Sequence, residues 1–156
     1  MQKLILYTDG GSRGNPGPGA LGVVIKIENE KSCLPAGKVK MKKEYSKYLG
    51  EVTNNQAEYE ALIFGLRKAK GIIKSKKLPK KVECFLDSEL VVEQINHQYK
   101  IKNQGIQPLF IKVWNLTLDF DKVTFKCIPR EENKEADRLV NEVLDSKARE
   151  SSLPGV

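Results

Sequence analysis

The sequence predicts one mixed α/β domain, a sheet opened by an antiparallel meander and completed by strands that alternate with helices. Three observations predict it. Apolar or alternating segments follow one another early, at 4–7, 21–27 and 39–49, with glycine-, proline- or lysine-rich stretches between them. Two short apolar runs come later, Val82–Leu86 and Val123–Ile128, each set between segments of helical period. The length, 156 residues with 40% hydrophobic and 30% charged, suits a single domain with a real core.

Each element has its own justification. Leu4 to Tyr7 is apolar and stops at Asp9, and five glycines and two prolines then lie between Gly10 and Gly19. This reads as a strand, a turn beginning at Gly10, and a returning strand over Leu21–Ile27. Glu28–Lys38 is polar, with a turn at Pro35–Gly37. Val39–Leu49 carries so much lysine that it suits a sheet edge, where charge discourages pairing with another chain.

From Asn54 to Ile73, Ala57, Ala61, Leu62, Leu66, Ala69, Ile72 and Ile73 recur at helical spacing, with Thr53 or Asn54 as N-cap. The far end of that helix is basic, with eight cations in the fifteen positions 67–81. They read either as a solvated face or as a surface that tracks phosphates. Pro79 precedes the strand Val82–Leu86, which ends at Asp87, and Leu90, Val91 and Ile95 begin another helix. After the Asn103–Pro108 linker comes a helix from Leu109 to Leu118, in which Trp114 reads as a core anchor rather than a base-stacking platform. Val123–Ile128 is the last strand, and Glu131–Ser146 the closing helix, with Asp137 at the margin of its apolar stripe. Residues 1–148 form the expected domain and 149–156 a flexible tail.

Composition narrows the function. Net charge is +7 despite 20 acids, so the surface attracts polyanions, nucleic acid first among them. No apolar stretch approaches the roughly 18–20 residues of a membrane span, and Asp9 interrupts what would be a signal peptide's apolar region. Cys33, Cys84 and Cys127 show no CxxC spacing and are expected as free thiols in a cytoplasmic protein, with Cys84 and Cys127 buried in strands. His97, the single histidine, is expected at the surface. A monomer is the expected state, and no further binding module is expected ahead of residue 1.

Asp9 and Asp87 both stand at strand ends, Glu58 one turn into a helix, and Asp137 near the start of another. Strand ends are where open sheets gather ligands. Four converging carboxylates would repel and take up protons unless divalent cations neutralised them. An all-oxygen donor set points to Mg²⁺ or Mn²⁺ rather than zinc.

Tyr7-Thr8-Asp9-Gly10-Gly11-Ser12, Thr53-Asn54-Asn55-Gln56-Ala57-Glu58, Asp87-Ser88 and Glu132-Asn133-Lys134-Glu135-Ala136-Asp137 together resemble the motifs of type 1 ribonuclease H, in that family's order. Each string alone is short and the set is specific. The resemblance covers residues 2 to about 146 and implies a five-stranded mixed sheet of order 3-2-1-4-5. It implies endonucleolytic cleavage of the RNA strand of an RNA–DNA hybrid, leaving 5′-phosphate and 3′-hydroxyl ends. The catalytic, metal-holding tetrad then falls on Asp9, Glu58, Asp87 and Asp137, binding two ions with substrate. Substrate contacts fall on Gly10, Gly11, Ser12, Arg13, Asn15, Thr53, Asn54, Asn55 and Ser88, the amides testing for a 2′-hydroxyl. The Lys70–Lys81 run and Arg13 would meet phosphates. Double-stranded RNA is a further candidate substrate.

Two departures from the family pattern stand out. The loop before the last helix, Cys127-Ile128-Pro129-Arg130-Glu131, carries no histidine, and Arg130 is the candidate to take its electrostatic part. The Trp/Lys-rich protrusion of some bacterial members is absent between Ile95 and Gly105. The alternative readings are a catalytically weak nucleic-acid-binding module and another nuclease on the same fold.

Overall fold

The computed structural model describes residues 2–29, 39–96 and 100–151. The turn expected at Pro35–Gly37, Cys33, the expected surface residue His97 and the last five residues of the expected tail lie outside them.

The chain runs β1 (Gln2–Ser12), β2 (Gly17–Asn29), β3 (Val39–Val52), α1 (Asn54–Lys76), β4 (Lys81–Leu86), α2 (Glu89–Ile95), α3 (Gln107–Thr117), β5 (Lys122–Cys127), a short 3₁₀ turn (Arg130–Glu132) and α4 (Lys134–Ser151). The sheet order is β3-β2-β1-β4-β5. The first three strands pair antiparallel and the last two add parallel to β1. This is the order that the family resemblance implies.

The central strands are apolar on both faces because helices cover both. On one face α1 packs on β1: Leu6 fills the space that a side chain at Gly65 would need. All seven apolar positions expected on α1 are buried. On the other face Tyr7 and Val24 pack with Ala136 and Leu139 of α4. Thr53 caps α1, its side chain accepting from the Gln56 amide while Gln56 returns a bond to the Thr53 N–H.

Several local expectations are corrected. Gly10 and Gly11 do not turn the chain. They continue β1, opposite Leu21 and Ala20, and the bend is confined to Arg13–Pro16. Of these glycines only Gly14 takes a positive φ, 102°, so glycine at 10 serves close packing rather than turning. Trp114 is not a core anchor: it is 49% exposed on the outer side of α3, whose inward face is already filled by Leu109 and Val113. Cys127, at the end of edge strand β5, is exposed, whereas Cys84 is buried as expected. The closing helix begins three residues later than the pattern suggests and continues to Ser151, so Asp137 lies in its first turn.

Candidate active site

β1 and β4 stay in register as far as Tyr7 and Phe85, whose rings stack with centroids 5.3 Å apart. Two residues further, Asp9 and Asp87 stand where the strands part. Alternation along the strand puts Asp9 on the face of Tyr7, toward α4. Glu58 arrives from α1, on the opposite face. The approach is open because residue 10 has no side chain: a Cβ there would sit 2.2 Å from the Ala57 carbonyl. The first turn of α1 therefore lies against the backbone of β1, and the Gly10 amide donates a hydrogen bond to the Glu58 carboxylate.

One oxygen each from Asp9, Glu58 and Asp87 lies within 4.8 Å of the others. Asp137, from α4, is within side-chain hydrogen-bond reach of Asp9 at the margin of this group. The four carboxylates singled out in the sequence are thus neighbours. Asp9 and Glu58 are 6% and 7% exposed, and no lysine or arginine pairs with Asp9, Glu58 or Asp87 among the described residues.

Burial first, then the charges of Asp87 and Asp137, push the Asp9 carboxyl up to about 7. The same causes, burial and then the Asp9 and Asp87 charges, hold Glu58 well above the usual carboxylate range, with the Gly10 amide opposing them. Glu58 Oε2 is buried with no hydrogen-bond partner. A buried oxygen without a donor, inside an all-carboxylate cluster, is the arrangement a hard divalent cation satisfies. The residues fit the metal.

Asn133 belongs to this site, although it was not among the candidates singled out. It is 1% exposed, and its Nδ2 donates to the Thr8 carbonyl at 2.9 Å and to Asp87 Oδ2 at 3.2 Å. Its place in the Glu132–Asp137 motif was the available signal, but the pattern set it inside a helix expected to begin at Glu131. Here the amide is spent on holding Asp87 to β1.

The other candidates are distributed among several local roles. Ser12, Asn15 and Asn54 are joined: Ser12 N–H and Oγ donate to Asn54 Oδ1 at 3.0 and 3.2 Å, and the Asn54 N–H donates to Asn15 Oδ1 at 3.0 Å. These bonds tie the first hairpin to the start of α1, while Thr53 caps that helix and Asn55 stands half-exposed beside them. Ser88 caps α2, accepting from the Val91 amide. Arg13 is in a 2.6 Å ion pair with Asp145, and Arg130 is exposed in the 3₁₀ turn. Gly11 continues β1. The Lys70–Lys81 run is not beside the carboxylates. Lys74 follows Glu58 by sixteen helical residues, about 24 Å along α1.

Comparison with known proteins agrees with this fold. The family described as Reverse transcriptase-like matches residues 7–143. The bifunctional protein Rv2228c of Mycobacterium tuberculosis is 33% identical over 96% of the chain, which spans 38% of that relative's length. The ribonuclease H of Erythrobacter litoralis is 32% identical, covering 93% of this chain and 98% of that protein. The crystal structure of LC11-RNase H1 in complex with an RNA/DNA hybrid superposes with a TM-score of 0.79 at 42% identity, covering 94% of this chain and 99% of that one. Motif order, strand order and these alignments all agree: the chain belongs to the type 1 ribonuclease H family.

Proposed function

We propose that this chain is a metal-dependent endoribonuclease that hydrolyses the RNA strand of RNA–DNA hybrids, leaving 5′-phosphate and 3′-hydroxyl ends. The observation that carries the reading is the Asp9–Glu58–Asp87 cluster, with Asp9 and Glu58 buried and Asp87 half-buried, one oxygen from each within 4.8 Å of the others, and no cationic side chain paired with it among the described residues. Relatives named ribonuclease H, and a similar enzyme crystallised with an RNA/DNA hybrid, support the choice of substrate.

Asp9, Glu58, Asp87 and Asp137 would hold the metal, Mg²⁺ or Mn²⁺. When bound, such ions supply an acidified water as nucleophile and stabilise charge on the departing 3′-oxygen. The protein's own groups do the positioning. Asn133 holds the Asp87 carboxylate against β1, and the Gly10 amide holds Glu58. The Ser12–Asn54–Asn15 network fixes the hairpin beside the cluster, where Asn15, Asn54 and Asn55 offer amide donors and acceptors to test for a 2′-hydroxyl. Thr53, Arg13 and Ser88, with the backbone of Gly10 and Gly11, are proposed to orient the sugar–phosphate chain. Arg130 is proposed to supply positive potential where relatives place histidine. We extend the proposal to activity on double-stranded RNA, and to residues 1–148 acting as a monomeric unit in the cytoplasm. Among the described residues no helix is long and apolar enough to cross a membrane.

The test is one gel. Labelled RNA–DNA hybrid, double-stranded RNA, double-stranded DNA and a four-way junction are incubated with Mg²⁺, Mn²⁺ or EDTA, beside Asp9→Asn. Cleavage of hybrid RNA that disappears in EDTA and in the variant supports the proposal. Hybrid binding without cleavage under every metal condition overturns it.

A further inference from the structure

We propose that the end of the molecule opposite the carboxylates is a second binding surface, one that takes a nucleic-acid phosphate backbone without regard to sequence. This rests on the nuclease reading in choosing nucleic acid as the polyanion. Between Glu60 and Glu83 the chain carries eight cations and no acid. They occupy the second half of α1, the turn after it and the first residue of β4.

Two of the eight are engaged. Lys68 lies over the Tyr45 and Phe64 rings, and Lys70 pairs with Asp119 at 3.0 Å. Arg67, Lys74, Lys76, Lys77, Lys80 and Lys81 are exposed and joined to no acid among the described residues. Complementing the helix dipole accounts for Lys74 and Lys76, in the last turn of α1. The other four exceed that need. Lys74, Lys77 and Lys80 line a cleft of about 580 Å³ that also takes in Ile73 and Phe120.

The chemistry of the patch selects its partner. Every apolar side chain between 67 and 81 is buried or half-buried. Among the residues lining the cleft only Leu118, 66% exposed, offers an open apolar side chain, far less than the apolar face of a bilayer-inserting helix or the packed centre of a protein hot spot. Regularly spaced phosphates need only the ammonium groups. The pole lies about 24 Å from Glu58 along α1, and a duplex has a persistence length of about 50 nm. A duplex this stiff does not wrap around the molecule, so one segment meets both the carboxylates and the lysines only if it runs straight along α1. In any other pose the pole takes a different segment, a neighbouring duplex or a flexible single-stranded flank, and so holds the protein on the polymer independently of its active site.

With EDTA present to stop cleavage, the full chain and K74Q/K77Q/K80Q/K81Q are titrated into a labelled DNA duplex of about 40 base pairs across a salt series. The expected result is a slope of log affinity against log salt that is shallower by about 3 in the variant, with affinity at low salt at least tenfold weaker. K74R/K77R/K80R/K81R retains the wild-type slope, and matched melting curves exclude misfolding as the cause. An unchanged slope overturns the proposal. So does tighter binding of the wild-type chain to phosphatidylserine vesicles than to duplex, which would assign the pole to a membrane surface. Cleavage of a short hybrid by the wild-type chain tests the nuclease reading separately, because the binding assay involves no catalysis.

Discussion

Asn133 donates one amide nitrogen both to the Asp87 carboxylate, at 3.2 Å, and to the backbone carbonyl of Thr8, at 2.9 Å. A residue 46 positions from Asp87 thereby fixes that acid against the strand that carries Asp9. Asn133→Ala removes the tie and leaves the buried Thr8 carbonyl without this donor. Hybrid cleavage should fall by about 10–100-fold, and the metal concentration for half-maximal rate should rise, with KM for hybrid little changed. Unfolding in urea should show a loss of about 1–3 kcal/mol. A metal titration that matches wild type would reduce Asn133 to a packing residue.

Asp9 and Glu58 share the pH dependence, because both buried carboxyls are raised. The Asp9 carboxyl is raised from 3.8 to about 7 by burial, followed by the charges of Asp87 and Asp137. Between these values the folded chain holds a proton that the unfolded chain has released. The stability associated with that proton is complete below about pH 4 and is lost as pH rises through about 7. In EDTA, Asp9→Asn should therefore be more stable than wild type at pH 8, by up to about 4 kcal/mol, and the difference should vanish near pH 4. Mg²⁺ at pH 8 should stabilise wild type more than the variant, while the variant loses cleavage. Urea denaturation at the two pH values, with and without metal, reads all of this.

Gly10 and Gly11 should separate sharply. A Cβ at Gly10 meets the Ala57 carbonyl at 2.2 Å and the Glu58 nitrogen at 2.6 Å, both backbone atoms. Gly10→Ala must push α1 away from β1. It should destabilise by about 2–4 kcal/mol and lower cleavage by displacing Glu58. At Gly11 the nearest atom is Val140 Cγ1 at 3.8 Å, an ordinary contact. Gly11→Ala should change stability by less than about 1 kcal/mol. Thermal melts of the two variants check the contrast.

Asp145 competes for Arg13. Their 2.6 Å ion pair is exposed at both ends, 44% and 57%, so it contributes little to stability. It does hold back a guanidinium that could meet a phosphate. Asp145→Asn should leave the melting temperature within about 2 °C and tighten hybrid binding in EDTA about two- to fivefold, with a salt slope steeper by about 1. Equal affinity for the two proteins would show that Arg13 makes no phosphate contact.

The sequence alone determined the strand and helix order, the family and the identity of the four acids. Those features are written in local periodicity and in short contiguous motifs. Only the tertiary structure decided what depends on distant neighbours. Gly10 resembles a turn residue until α1 is seen lying on it. Asn133 resembles any polar residue of a helix's first turn until Thr8 and Asp87 come within its reach. The lysines after Arg67 resemble a substrate grip until the length of α1 carries them to the far end of the sheet. Trp114 shows the same limit from the other side, since helical spacing says which residues share a face but not whether that face is already covered.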